Sequence, residues 1–250
     1  MTSPLFDAFD ASDGVVCLVG AGGKKTTMYA LARAHRGRIA LSSTSHMYVY
    51  DENEVDRVVR AKDGVFEDAP GRVVAFAGKT DTPSRVGGLS SDQIQKLWGT
   101  GNFDLFLIKA DGARARWVKA PELYEPIVPT YTNTVIPVVS ARVVGRRLED
   151  GIAHRPDRVA DLMGISTRTV IAPEHLARLL ASPAGSLKGV GDAAVVPLIN
   201  MVDDDALYQS ARIVALEALS KTVRFSRVVL ACMKKCRIVE VIERDGKPNC

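Results

Sequence analysis

A three-layer α/β fold around a mostly parallel sheet is predicted by three observations. Short apolar runs rich in β-branched residues recur along the chain, helical patterns lie between several of them, and the first run ends in a glycine turn that opens a helix. That first strand is Val15-Val16-Cys17-Leu18-Val19, followed at once by Gly20-Ala21-Gly22-Gly23. From Thr26 a helical pattern keeps Met28, Leu31 and Ala32 on one side and stops near Gly37, where Arg33, His35 and Arg36 suit the negative end of a helix. A second strand is expected over 38–42, and further buried strands over 73–77, 103–108, 135–139, 195–199 and 228–231. Ser90-Ser91-Asp92-Gln93 has the spacing of a capping box for a helix to about Trp98, and Pro173 suits the first position of a helix to about Ala181. Beyond Asp203, the recurrence of Leu207, Ala211, Val214, Ala215 and Ala218 marks the best-patterned helix, and 238–242 alternates as an added strand that then frays.

The stretch from Lys109 to Pro156 behaves differently. It carries Pro121, Pro126, Pro129, Pro137 and Pro156 and many arginines, so one strand is expected there and the rest as loop. The chain reads as one domain over 1–250 with a loop-rich inserted region near 110–160.

Composition excludes several classes. With 46% hydrophobic and 25% charged residues the chain is neither disordered nor collagen-like, and four cysteines are too few for a disulfide framework. The N-terminal thirteen residues carry Asp7, Asp10 and Asp13 and no basic run, which does not read as a signal peptide. No apolar run approaches the roughly 20 residues of a membrane span, so the cytoplasm is the expected compartment and no membrane partner is expected. A net charge of +4 and only 6% aromatic residues argue against nucleic acid. Cys232 and Cys236 lie beside Lys234 and Lys235, but no second ligand pair with zinc spacing accompanies them.

The glycine turn carries the main chemical signal. Converging backbone amides at a helix N-terminus bind phosphate, and glycine lets the chain curl closely enough to present them. Gly20, Ala21, Gly22, Gly23, Lys24, Lys25, Thr26 and Thr27 are the expected nucleotide-binding segment, with Lys24 on the phosphates and the Thr26 hydroxyl on Mg²⁺. The match to G-x-x-x-x-G-K-[ST] is partial, because Leu18 stands at the first glycine position and Lys25 at the hydroxyl position. A dinucleotide fingerprint fits less well, since Lys25 occupies its third glycine. The bland alternative is a glycine turn with two solvated lysines. Asp111, just past the strand at 103–108, is placed to hold the metal, or is simply a turn residue before Gly112. Asn200-Met201-Val202-Asp203 is close to the N-K-x-D pattern, so Asn200 and Asp203 would read a guanine edge, or Asp203 and Asp204 only cap the next helix.

Val19-Gly20-Ala21-Gly22-Gly23-Lys24, Ser43-Thr44-Ser45-His46-Met47, Ala110-Asp111-Gly112-Ala113, Lys119-Ala120-Pro121 with Glu125-Pro126, His154-Arg155-Pro156 and Asn200-Met201-Val202-Asp203-Asp204 occur in one order over most of the chain. Together they resemble the YqeC-type accessory proteins linked to selenium-dependent molybdenum hydroxylases and selenium cofactor biosynthesis. The resemblance implies a phosphate-loop NTPase-like fold that binds GTP or ATP with Mg²⁺ and serves the maturation of such a hydroxylase. This chain departs from the family pattern at Lys25, where a hydroxyl is usual, at Lys109, where a Glu is usual, and at Met201, where a Lys is usual. Two of these departures put a cation where metal chemistry wants oxygen, which weighs against hydrolysis more than against binding.

Lys24, Asp111 and His46 are the expected catalytic set, and Thr26 with Asp111 the expected metal ligands. A second ligand, anionic or cofactor-like, is expected on Thr44, Arg114, Lys119, Glu125, His154 and Arg155, which are dense in charge and pinned by prolines, although such runs are often solvated surface. A nucleotide-gated cofactor chaperone without significant turnover and an ATP-dependent small-molecule kinase are the alternatives, and a homo-oligomer is compatible with each.

Overall fold

In a computed structural model, which describes residues 4–61, 66–67 and 69–244, strands and helices alternate through much of the chain. After α1 (Pro4–Phe9), β1 (Gly14–Gly20) passes through the glycine turn into α2 (Lys24–Ala34), and β2 (Ile39–Ser43) follows. β3 (Met47–Tyr48), β4 (Arg57–Arg60), β5 (Val73–Ala77) and β6 (Arg85–Val86) precede α3 (Ser91–Thr100). The capping box forms at α3: the Gln93 amide donates to Ser90 Oγ at 3.2 Å and the Ser90 amide to Gln93 Oε1 at 3.0 Å. β7 (Leu105–Lys109), β8 (Val118–Lys119), β9 (Thr134–Ser140) and β10 (Ala153–His154) come next, then α4 (Pro156–Met163) and α5 (Pro173–Ala181), both opened by proline. The remaining elements are β11 (Ala194–Val195), β12 (Leu198–Asn200), α6 (Asp205–Lys221), β13 (Arg227–Cys232) and β14 (Arg237–Glu243).

The main sheet has the order β14-β13-β12-β9-β1-β7-β2-β5-β4, with β11 also on β9. Its pairs are parallel except for β14, which runs antiparallel to β13. Side chains of β1 alternate between two apolar cores because successive Cβ atoms point to opposite faces. Val16 and Leu18 pack with Phe9 of α1 and Met28 and Leu31 of α2, whereas Val15, Cys17 and Val19 join Ile94 of α3, Leu176 of α5 and Val214 of α6. Helices therefore cover both faces of an α/β sheet, and the near-continuous apolar character of β1, β7 and β9 follows from burial on both sides.

Three expectations need correction. The strand expected over 195–199 is broken into β11 and β12 around Val196-Pro197, where proline has no amide for the ladder. Within 109–156, β8 and β10 form a small parallel ladder (Val118↔Ala153, Lys119↔His154) in addition to the predicted β9. Helix α2 begins at Lys24 rather than Thr26, and α6 is capped by Asp204, whose Oδ1 accepts from the Leu207 amide at 2.8 Å. The added strand expected over 238–242 is β14, and the expected fraying beyond Arg244 lies outside the described residues, as do Met1, Thr2 and Ser3 of the N-terminal segment read for a signal peptide. No helix among the described residues is long and apolar enough to cross a membrane.

Candidate functional site

Parallel pairing brings the C-terminal ends of β1, β2, β7, β9 and β12 to one edge, where Leu18 and Ser43 both lie opposite Lys109 and Asn200 lies opposite Ser140. Ligands of open α/β sheets gather at this edge because the loops leaving the strands converge there. The glycine turn sits against it so closely that only glycine fits: an added Cβ on Gly22 would lie 2.6 Å from the Ser140 amide nitrogen, and on Gly23 2.3 Å from Asn200 Nδ2. Gly22 and Gly23 also hold φ of 93° and 116°, which side chains disfavour.

The turn's own amides divide into two groups. Those of Gly20, Ala21 and Gly22 donate within the protein, to Asp111 Oδ2, the Val138 carbonyl and the Arg116 carbonyl at 2.9, 2.9 and 3.0 Å. The amides of Gly23, Lys24, Lys25 and Thr26 have no acceptor among the described residues, and no side chain caps α2. These four orphan donors open α2, and all four residues line a cleft of about 690 Å³.

Beneath the turn is a knot of buried charge. Asp111 is 1% exposed and is ion-paired with Lys24 Nζ at 2.5 Å and with Lys119 Nζ at 3.0 Å, while its Oδ2 accepts from the Gly20 amide. Burial alone would raise the Asp111 carboxyl pKa, but the Lys24 and Lys119 charges and the hydrogen bonds outweigh it and hold it below the ordinary carboxylate range. Lys24 also reaches back to the Gly20 carbonyl, and burial lowers its pKa against the pull of Asp111. Lys119 further donates to the Gly112 carbonyl at 2.7 Å and to Glu125 Oε2 at 2.9 Å. Arg155 pairs with Glu125 at 2.9 Å and with Glu122 at 3.0 Å, so Lys119, Glu125 and Arg155 form one network.

The cleft gathers much of the expected site. Ala21 through Thr26, Thr44, His46, Arg114, Glu125, His154 and Arg155 all line it. Thr44 Oγ1 is within hydrogen-bond reach of the Ala110 and Ile127 carbonyls, 3.0 and 3.1 Å away, which makes it a strut between β2 and the loop before β9. His154 is held neutral: burial first, then Arg155, Lys119 and Arg114, push its pKa down to about 4. Arg114 stands exposed in the left-handed region, with no ion pair among the described residues. Lys25 donates to the Val49 carbonyl at 2.6 Å and lies over the Tyr29 ring.

Other expected residues lie apart from the cleft walls. Gly20, Asp111 and Lys119 are beneath the floor, and the Thr27 hydroxyl donates back to the Gly23 carbonyl at 3.0 Å, fully buried. Asn200 is 2% exposed and uses both ends of its amide inside the protein: its Nδ2 donates to the Gly22 carbonyl at 2.8 Å and its Oδ1 accepts from the Met233 amide at 3.0 Å. Asp203 is engaged by Arg142 at 2.5 Å and by Cys232 Sγ at 3.0 Å. The Cys232 hydrogen bond and the Arg142 pair hold its carboxyl below the ordinary range. The guanine-edge arrangement expected for Asn200 and Asp203 is therefore not the one the structure makes; Asn200 instead locks the glycine turn to the turn after β13.

Sequence reasoning missed Lys109 as a site residue. It ends β7, is 9% exposed, lines the cleft, and donates to Ser45 Oγ at 3.0 Å and to the Asp111 carbonyl at 2.7 Å. No carboxylate lies within ion-pair distance of it among the described residues, and burial together with Lys24 and Lys119 pushes its pKa down to about 7. A lysine closing an otherwise apolar buried strand was the available signal. Arg85, Trp117 and Tyr124 also line the cleft without having been singled out for it, beside Arg116. In all, the walls carry seven Lys and Arg side chains and one carboxylate, Glu125.

The donors expected for Mg²⁺ do not fit it. Both Asp111 oxygens face ammonium groups, Thr26 is the remaining hydroxyl, and no group of three or more His, Cys, Asp or Glu among the described residues is arranged to hold a metal ion.

The chain is 27% identical over 183 residues to a protein of Escherichia coli (strain K12) named "Uncharacterized protein YqeC", the match covering 70% of this chain and 71% of that one. No solved structure matches it. The model of the family described as YqeC protein matches residues 16–157, which run from β1 through the glycine turn, Asp111 and Glu125 to His154 and Arg155. The chain belongs to the YqeC family.

Proposed function

We propose that this chain is a phosphate-loop NTPase-like protein whose cleft binds the polyphosphate of a nucleoside triphosphate, GTP or ATP. It would act as an accessory in the maturation of a selenium-dependent molybdenum hydroxylase. The observation that carries the binding is the cleft wall: seven cationic side chains and one carboxylate surround an uncapped helix N-terminus with four orphan amides. Lys24 and Arg155 are already ion-paired, but a neutral or cationic ligand would leave Lys25, Arg85, Lys109, Arg114 and Arg116 uncompensated among the described residues, whereas an anion compensates them and accepts from the amides. The strand–glycine turn–helix order and the placement of β1 between β7 and β9 support the phosphate-loop reading. The accessory role rests on the resemblance set out from the sequence, and family membership supports it.

Binding without rapid turnover, as in a nucleotide-gated chaperone, is favoured over hydrolysis by one observation: Asp111, the carboxylate placed to serve hydrolysis, is held by Lys24 and Lys119. The second ligand would occupy the part of the cleft near Arg114, His154 and Arg155, within the cytoplasm. Calorimetric titration of the purified chain with GTP, ATP and their non-hydrolysable analogues, followed by steady-state phosphate release, tests the proposal. Binding with little release supports a gate; release that rises severalfold when the hydroxylase is added supports an NTPase. Absence of heat with every triphosphate refutes the binding.

A further inference from the structure

We propose that the cleft takes its polyanion without a divalent cation, the Lys109 ammonium supplying the positive charge that a metal would otherwise bring. The inference rests on the polyphosphate reading above and adds the form in which the ligand is bound.

Three observations carry it. First, the carboxylates that a metal would need are held by cations, since Asp111 is ion-paired with Lys24 at 2.5 Å and Lys119 at 3.0 Å, and Glu125 accepts from Lys119 and Arg155 at 2.9 Å each. A divalent cation arriving there would meet Lys24, Lys119 and Arg155 before it met a free carboxylate. Like charges that close repel strongly in a poorly solvated site. Second, Lys109 is a buried amine with a hydroxyl and a carbonyl as acceptors and no carboxylate in ion-pair range among the described residues. Its third donor position has no partner among the described residues, and its side chain forms part of the cleft wall. Third, three lysines, Lys24, Lys109 and Lys119, gather about two carboxylates, Asp111 and Glu125, so that a protonated Lys109 has no counter-ion in ion-pair range among the described residues. An incoming phosphate oxygen completes that balance, whereas a Mg²⁺–phosphate complex, carrying less negative charge, completes it less well.

The expected ligand is thus a metal-free polyanion, with inorganic tripolyphosphate as the minimal probe. The test titrates the full chain calorimetrically with ATP, GTP and tripolyphosphate, once in EDTA and once in excess Mg²⁺, and separately titrates the ligand-free chain with Mn²⁺ by electron paramagnetic resonance. Affinity in EDTA should equal or exceed that in Mg²⁺, and Lys109→Met should lower it by about ten- to hundredfold, the weight of one charge-assisted hydrogen bond. Lys109→Arg should retain most of it. The Mn²⁺ signal should remain that of the free ion.

Binding that needs Mg²⁺ and vanishes in EDTA overturns the inference while leaving the polyphosphate reading intact. Stoichiometric Mn²⁺ capture that Asp111→Asn abolishes overturns it too. Failure of every anion to bind in both buffers refutes the polyphosphate reading and this inference with it. Should Lys109→Met not fold, the EDTA comparison on the unaltered chain still decides the matter.

Discussion

Replacing Asp111 by Asn separates the structural role of this carboxylate from the metal-binding role that its position suggested. Asn preserves the shape and can still accept from the Gly20 amide, now at 2.9 Å, but it removes the negative charge shared by Lys24 and Lys119 and turns an amide N–H toward one of them. With the carboxylate 1% and Lys119 4% exposed, the Lys119 ammonium gains no water in exchange. Removing one partner of a buried ion pair costs about 3–5 kcal/mol. For a chain of 250 residues each kcal/mol lowers the melting temperature by about 2–4 °C, so a loss of roughly ten degrees is expected. Thermal unfolding followed by circular dichroism measures it. Because the substitution also releases Lys24 toward the cleft, affinity for tripolyphosphate should hold or rise in the folded variant. A melting temperature within a degree of the parent, together with a loss of Mg²⁺-dependent nucleotide affinity, would refute the reasoning and return Asp111 to the metal.

Further outcomes follow from the same geometry. Asn200→Ala removes two buried hydrogen bonds, of 2.8 and 3.0 Å, and leaves the Gly22 carbonyl and Met233 amide unmatched; denaturant unfolding should show a loss of about 2–4 kcal/mol. Gly23→Ala forces a Cβ to 2.3 Å from Asn200 Nδ2 at a φ of 116°, and should cost at least about 1–2 kcal/mol in the same assay while weakening triphosphate binding. Polyanion affinity measured between pH 6 and pH 9 should fall as Lys109, with a pKa of about 7, loses its proton, and the slope should flatten in Lys109→Met. The contribution of Lys109 to stability has the opposite sign: between about 7 and 10.5 the unfolded chain holds more protons on this lysine, so its share of unfolding free energy rises with pH across that window. Cys17, fully buried with its thiol pushed up to about 12 by burial, should resist iodoacetamide at pH 8, whereas exposed Cys236 should be alkylated, as peptide mass spectrometry would show.

Much of the scaffold was legible because burial on both faces writes itself as continuous apolar runs. Residues 73–77 and 173–181 come out with the predicted limits, and β1, β2, β7, β9 and β13 differ from prediction by one or two residues at their ends. The short ladders β3–β6 and β8–β10 were not legible, since two residues have no periodicity and are held by their partners. α1 and α4 were missed for lack of a long pattern: they have six and eight residues. For the site, strand ends and glycines placed Lys24, Thr26, Thr44, His46 and His154 on one cleft. What sequence could not reveal was direction. Asp111 and Asn200 sit where a ligand-binding residue would, yet their side chains turn under the turn and into the protein, because a buried carboxylate needs cations and a buried carbonyl needs a donor.

The single amide of Asn200 ties the Gly22 carbonyl to the turn after β13 across 178 residues of chain. During synthesis the glycine turn leaves the ribosome early and finds partners in Asp111, Arg116 and Val138, but its last fastening waits until β12 has been made and the backbone beyond β13 supplies the Met233 amide. The cleft near the start of the chain is thus finished by its last third. A nascent chain carries the loop sequence long before it carries the pocket, and a fragment stopping at His154, Arg155 or anywhere before Asn200 would contain nearly every wall residue without the fastening that holds the floor in place.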